Sequence, residues 1–487
     1  MTLILLTLPV CNITSTLKSL THGAHFMKRI NFILMILMGI ILFGCGSQSS
    51  EKQQEPSKSP GKEPITISVN SGPKDTEPRE VERWNLLVSM FEEKYPDIKV
   101  DVQYWEYEPA IFMTRAVGGQ LSDIINTWAT EGEILITKKL AADITDVLTS
   151  WEDFQDMRPI LLEPFHRNNR YYAFPTSAYS MGLYYNKRLF RNAGVVDEKG
   201  EANPPRTWEQ FLEAAKKIAN PDKGICGFAI LGGHHARAGW HFLNWGWQGG
   251  GEFEKKLHGK WKASFNEPGV ILALKFIKDL RWKHNVLQAN VLDDDRDISQ
   301  SFAAGRVGMF IGPANANTIV ALKENFGFDL ENLGIASLPE GPGGNYVQMG
   351  ADLYIFRPGI EPEKKKAAFK WCTFCVSNEW KEAEWKLRKK QGLPVGAPYI
   401  PIFKGERHQQ WEEILEKNRT IPRFSKYQEN VVNHLKTEPP YYCQQLYKEV
   451  LGPSVQEVLT NKDSDPRAIL EEHAENFQKQ YLDKIKP

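Results

Sequence analysis

Residues 171–190 read YYAFPTSAYSMGLYYNKRLF. An aromatic, extended run from Tyr171 to Phe174 meets Pro175, which fixes φ and removes a backbone donor, so a long strand is expected to pause there and to leave one sheet for another. Small and hydroxylated residues follow at 176–180. A second β-rich run, 181–185, gives way at Asn186 to a short basic helix over 187–192 that stops near Gly194. The stretch reads as a strand crossing between two lobes, at the floor of an interdomain cleft of the kind that binds small ligands. Taken alone, it also fits an ordinary hairpin with a proline at its corner.

Working outward, the 487 residues suggest two or three compact units. Hydrophobic content of 41% and charged content of 25% are those of a globular chain. Lys plus Arg and Asp plus Glu both number 60, so no basic field attracts nucleic acid and none is expected as a partner. The 14 Trp supply flat faces that suit stacking on sugar rings as well as filling cores.

Residues 27–45 read MKRINFILMILMGIILFGC. Lys28 and Arg29 form a basic start, and the apolar run ending at Phe43 is short for a membrane span, so 27–44 is expected to be a secretory signal peptide. An uncleaved anchor is the alternative. Leu42-Phe43-Gly44-Cys45 resembles the bacterial lipoprotein signal, which implies acylation of Cys45 as the first mature residue. Residues 1–26 precede the basic start, so translation is expected to begin at Met27. Residues 45–63, carrying GSQSSEKQQEPSKSPGK, hold too little apolar surface for a core and are expected to be a flexible tether.

Beyond the tether, 65–69 and 98–102 alternate as strands around an amphipathic helix with Val81, Trp84, Leu87, Val88 and Phe91 on one face, the pattern of an α/β layer. Thr207 followed by Gln210 marks a capped helix start, with Trp208, Phe211, Leu212, Ala215 and Ile218 as its buried stripe. Strand 225–231 then runs into a Gly-, His- and Trp-rich stretch, 232–251, read as a loop. Asp293, Asp295 and Asp297 alternate like half a calcium loop, but Ile298 and Ala304 fill the positions that demand Gly and Glu, so a helix cap is expected instead. His234, His235 and His241 lack completing ligands, so no metal and no cofactor is expected. Cys372 and Cys375 fall within a predicted helix, and with Cys226 and Cys443 they leave one disulfide open but not assignable. No nucleophile elbow, phosphate-cradling loop or zinc helix is present. An aromatic or amide residue recurs just after predicted strands: Trp105, Trp128, Trp240, Asn244, Trp245 and Asn315. Singly each suits a core or a turn; together they favour a sugar-sized pocket.

FEEKYPDIKVDVQYW (91–105), SDIINTW (122–128), YYAFPTSAYSMGLYYNKRLFRNAGV (171–195), PPRTWEQFLEAAKKIA (204–219), FAAGRVGMFIGP (302–313) and GADLYIF (350–356) form an ordered set. In that order the chain resembles the extracellular solute-binding proteins of bacterial ABC importers, in the sugar-binding branch that includes maltose-binding protein. The resemblance implies an α/β, two-lobed periplasmic-binding-protein-like fold of the class II type, each lobe a mixed β-sheet flanked by helices. Three crossings are expected near Pro175, near 348–350 and after Ile400. The lobes would comprise 64–175 with 350–403, and 176–349 with 404–487. By motif, the resemblance places Trp128 and Glu131 in the loop after SDIIN, Tyr179 just after the crossing strand, and Trp240 and Asn244 in the loop after the second-lobe strand. Gly312 lies where the family often has Gly-Pro-Trp; here the third residue is Ala314, so Trp245 or Tyr442 is expected to supply the missing wall. Asp352 joins Glu131 and Asn244 as a polar candidate. The implied function is non-catalytic capture of a carbohydrate outside the cell and its delivery to ABC permease subunits by hinge closure, from a monomer anchored to the membrane by lipid. The alternatives are a secreted carbohydrate-active hydrolase and a ligand-sensing partner of a membrane receptor.

Overall fold

A computed structural model describes residues 63–428, 431 and 434–485, so the expected signal peptide, the Cys45 lipidation site and nearly all of the tether lie outside the described residues. The alternating stretches form parallel strands β1 (Ile65–Val69) and β2 (Ile98–Val102), with Ile65 opposite Ile98 and Val69 opposite Val102. Helix α1 (Pro78–Lys94) joins them and buries Trp84, Leu87 and Phe91, the centre of its predicted stripe. In chain order there follow β3 (Ile124–Trp128), β4 (Ala173–Asn186), α2 (Trp208–Ile218), β5 (Cys226–Ala229), α3 (His235–Gln248), β6 (Val307–Pro313), α4 (Ala316–Val320), β7 (Leu333–Ala336), β8 (Val347–Phe356), α5 (Asn378–Lys390), α6 (Gly405–Asn418) and β9 (Leu435–Lys436). The strands pair in the order β2-β1-β3-β8-β4-β6-β5, with β7 also on β4 and β9 on β8.

β4 is the long strand around which this sheet turns. From Ala173 to Ser180 it pairs with β8, and from Met181 onward with β6 and β7. The exchange of partners therefore falls at Ser180 and Met181, not at Pro175. Pro175 does not stop the strand either. Leu353 lies opposite Pro175 and Asp352 opposite Ser177, so Thr176 is the extra residue of a β-bulge and the ladder absorbs the proline. Gly182 makes the exchange sterically possible, because a Cβ there would stand 3.0 Å from Ile335 and 3.1 Å from Ala314. Asn186 ends the strand by capping Lys187–Asn192, accepting from the amides of Arg188 and Leu189, and Gly194 takes a positive φ of 67° after it, as predicted.

A second passage follows β8, whose Val347 and Gln348 pair with β9 before Met349 onward pairs with β4. The third comes later than residue 403. Ile400 donates its amide to Ala178, but α6 then packs back on the same side, with Arg407 Nε 3.0 Å from Asp153 and Trp411 edge-on to Phe403 at 5.5 Å. The chain reaches β7 only when Ser337 donates to the Lys426 carbonyl and Tyr427 meets Ser180 at 2.7 Å.

Several aromatic clusters fill the core. In a first, Trp84 and Phe91 pack on Trp371, and in a second Phe211, Phe228 and Phe276 surround Trp245. Cys226, Cys372, Cys375 and Cys443 are buried and form no disulfide among the described residues. No helix among the described residues is long and apolar enough to cross a membrane.

Helix-to-sheet contact in the second cluster depends on Gly227, since a Cβ there would lie 2.1 Å from the Ala215 carbonyl oxygen of α2. The obstacle is backbone, so it cannot rotate away. Gly227→Ala is expected to cost about 2–3 kcal/mol by overpacking, read as a lowered denaturation midpoint. An unchanged midpoint would show that α2 slides freely on β5.

Candidate functional site

An open cleft of about 700 Å³ lies where β4 exchanges partners. Its floor is Thr176, Ser177 and Tyr179 of β4 with Asp352 of β8. One wall is Arg237, Trp240 and His241 of α3 with the turn from β6 into α4, and the other is Lys381, Trp385 and Arg388 of α5 with residues 394–402.

α3 occupies most of the stretch read as a loop. Its two glycines mark close packing instead: a Cβ at Gly239 would stand 2.4 Å from the Tyr447 carbonyl oxygen, and one at Gly246 2.4 Å from the Phe253 ring. His234 caps the helix, accepting from the Arg237 amide. The helical turn then sorts its side chains. Trp240 and His241 line the cleft, whereas Trp245 points into the aromatic core and offers a ligand no face. Asn244 is fully buried and spent on Gln348, accepting from its backbone amide at 2.8 Å.

Trp240 is held by its edge. Its indole Nε1 donates to Glu438 Oε1 at 2.5 Å, and the Gln348 side-chain amide donates to the same oxygen. The Arg237 guanidinium stands 5.6 Å from the indole centroid and pairs with Asp295 at 2.7 Å, while Asp294 caps the helix that Asp295 begins. Burial pushes Glu438 up to about 7, against the pull of these donors. His241 is pushed down to about 4 by burial and is therefore a neutral imidazole at pH 7, with Nε2 unpartnered among the described residues.

Tyr179 lies within β4, with its ring over Gly350; a Cβ at Gly350 would come within 2.3 Å of the ring. Burial, aided by the nearby Glu438 and Asp352 carboxylates, raises its phenol. Asp352 is open to solvent at the cleft floor yet walled by protein. That desolvation raises its carboxyl, opposed by the hydrogen bond from Ser177 Oγ and by the charges of Lys381 and Arg83. Gly312 and Asn315 also line the cleft, and Asn315 Oδ1 caps α4 by accepting from Thr318 N at 3.1 Å.

The structure thus brings Tyr179, Trp240, Gly312, Asn315 and Asp352 together. Trp105, Trp128, Glu131 and Tyr442 do not line this cleft. Trp105 is buried, donating to Ser122 Oγ at 3.0 Å, with Arg115 over its ring. Trp128 packs edge-on against Tyr107, whose hydroxyl donates to Glu131 at 3.1 Å. Burial raises Glu131. Tyr442, at a positive φ of 49°, packs on Tyr481. Sequence reasoning missed Arg237, Lys381, Trp385, Arg388 and Glu438. The first four stand on helices, and Lys381, Trp385 and Arg388 recur at the i, i+4, i+7 spacing of one helical face, a signal that was available.

Flat indole and phenol faces, carboxylates and cations around an open cleft suit a small ligand with hydroxyls and an apolar ring face. The family described as bacterial extracellular solute-binding protein matches residues 72–382. A binding protein of Brucella abortus (strain 2308) is 27% identical over 239 residues, which are 48% of this chain and 53% of that protein. The sn-glycerol-3-phosphate-binding periplasmic protein UgpB of Agrobacterium fabrum is 30% identical over 201 residues, 40% of this chain and 43% of that one. The chain thus spans about half the length of the curated relatives it matches. A solved structure of an ABC transporter solute-binding protein from Thermotoga lettingae, bound to α-D-tagatose, aligns with a TM-score of 0.64 at 22% identity, covering 86% of this chain and 99% of that one.

Proposed function

Because the chain belongs to the bacterial extracellular solute-binding protein family, we propose that its cleft captures a carbohydrate or related polyol outside the cytoplasm and hands it to the permease of an ABC importer. The observation that carries the reading is the cleft itself: about 700 Å³, placed where β4 changes sheet partners, with Trp240 and Tyr179 presented beside Asp352. Sugar rings offer an apolar C–H face and a rim of hydroxyls, which such a lining meets. The relative that binds sn-glycerol-3-phosphate and the neighbour holding tagatose support a polyhydroxylated ligand.

In this reading the two groups of strands act as lobes that hinge about β4 and β8 and close on the ligand, a motion of the kind periplasmic binding proteins use. Capture is non-catalytic, and the ligand leaves unchanged. A lipid on Cys45 and the tether after it hold a monomeric domain near the permease. One observation favours a second ligand class: Arg388 faces the cleft and forms no ion pair among the described residues, so a phosphate on a polyol would find a cation there.

A thermal-shift panel of mono- and oligosaccharides, sugar alcohols and glycerol 3-phosphate tests the proposal. A true ligand at about 100 times its Kd is expected to add about 2.7 kcal/mol to folded-state stability, while an inert compound adds nothing. Product analysis after prolonged incubation is expected to return the ligand intact. Release of new reducing ends would favour the hydrolase instead.

A further inference from the structure

Gln348 is the last residue of β8 to pair with β9 before the strand passes to β4. It is 1% exposed and lines no part of the cleft. Its amide N–H donates to Asn244 Oδ1 at 2.8 Å, and its side-chain oxygen accepts from Asn244 Nδ2 at 3.4 Å, so one residue of α3 grips both its backbone and its side chain. The other end of the side chain, Nε2, donates to Glu438 Oε1, the oxygen that also accepts from Trp240 Nε1. Trp240 and Asn244 stand four residues apart on α3, one above the other on the same face. The crossing strand therefore meets that face twice, directly at Asn244 and through Glu438 at Trp240.

We propose that Gln348 is a positioning residue, which carries the orientation of β8 at the passage between the lobes to the indole of Trp240, so that this wall of the cleft is set before ligand arrives and turns with β8 when the lobes close. The proposal rests on the capture reading and deepens it, since affinity then depends on a side chain that touches no ligand. An aromatic wall fixed in advance loses less freedom on binding.

The groups around Glu438 give this link a pH dependence. Burial lifts Glu438 to about 7 against the Trp240 and Gln348 donors, and the Glu131 carboxylate lifts it further. Tyr179, Tyr447 and Cys443 also feel its charge, and burial raises all three, so they stay neutral near pH 7. Glu254, a neighbour of Cys443, is raised by burial to about 8. Beside Trp240, Arg237 and Asp295 are paired, and His241 is already neutral. An ionised Glu438 is the stronger acceptor, so the indole is held most firmly at alkaline pH.

Fluorine NMR of the full chain carrying 5-fluorotryptophan, with the Trp240 resonance assigned through Trp240→Phe, reads the indole without any ligand. In wild type that resonance is expected to titrate with a midpoint of about 7, and Glu438→Gln is expected to abolish the transition. Gln348→Met removes a donor to the carboxylate, so it is expected to move the midpoint up and to broaden the resonance. Gln348→Glu keeps the shape and the acceptor for Asn244. It shares one proton with Glu438 in acid and repels it when both ionise, so the indole is expected to be held at acid pH and released at alkaline pH, the reverse of wild type. In calorimetry with D-glucose, D-tagatose and maltose as probes, a sugar that binds wild type is expected to bind Gln348→Met about tenfold more weakly at pH 7. It is expected to bind Gln348→Glu better in acid than in alkali. A wild-type midpoint and wild-type affinity in Gln348→Glu would overturn the positioning role and leave capture standing, even if the methionine variant folds poorly. If wild type binds none of the three sugars while the fluorine midpoints move as stated, the hold of Gln348 on Trp240 stands and the carbohydrate reading falls.

Discussion

Asp123→Ala is expected to cost the folded chain about 3–5 kcal/mol, because it breaks a buried ion pair and strands its partners. The carboxylate is almost wholly buried. It accepts from Ser68 N at 2.9 Å and Ser68 Oγ at 3.1 Å, from Arg357 Nε at 2.8 Å, and lies 3.4 Å from Lys364. It therefore ties β1 and β3 to the segment leaving β8. Burial alone would push its pKa up, but the Ser68 amide, Arg357 and Lys364 outweigh burial and hold it below its ordinary 3.8. A carboxylate lowered in the folded state binds fewer protons there than in the unfolded chain. Its stabilisation is therefore present above pH 3.8 and is lost as the pH falls below that toward the folded value. Denaturant unfolding of wild type and variant at pH 7 and at pH 3 would measure both effects, and the gap between them should narrow in acid. A gap under about 1 kcal/mol at pH 7 would mean that water substitutes for the carboxylate and that the network is no more than a surface pair.

Trp240→Ala is expected to weaken ligand binding ten- to a hundredfold, since losing one stacked indole removes about 1.5–3 kcal/mol of apolar contact. The ligand-free fold should lose less. Glu438 forfeits one donor but keeps the Gln348 amide, a loss of about 1 kcal/mol. Trp240→Phe separates the two contributions, because it keeps an aromatic face and removes the N–H. It is expected to retain most of the affinity while lowering ligand-free stability as the alanine does. Calorimetry with whichever sugar gives the largest thermal shift decides the matter. Unchanged affinity with a large drop in melting temperature would make Trp240 a packing residue.

The crossing strand was legible because its signal is local: a β-rich run, a proline, and an asparagine that caps the next helix all lie within twenty or so residues. Where along that strand the partners change was not legible. That position depends on β6, β7 and β8, which arrive far later in the chain; the proline announced an irregularity, but not that a bulge at Thr176 would carry the strand on past it. Trp240 and Trp245 show the same divide within one element. Read as loop residues they look alike, whereas on a helix five positions turn the second indole away from the first, toward Phe211 and Phe228. The glycines argued for a loop by propensity, and tertiary packing overrode them. Glu438 was invisible for another reason. Its importance lies in meeting Trp240 from a distant part of the chain, and a lone glutamate between Thr437 and Pro439 carries no pattern.

The register of β8 also has a consequence for how the molecule is made. β8 lies between β3 and β4, with Asp352 opposite Trp128 on one side and Ser177 on the other, yet it is synthesised after both. The middle of the sheet arrives after both of the strands that flank it. Long-range pairing of this kind slows folding, and until β8 inserts, the facing edges of β3 and β4 stay unpaired and prone to join other chains. A nascent chain that has passed Asn186 but not yet Val347 therefore cannot complete this sheet and carries two open strand edges for the whole of that interval.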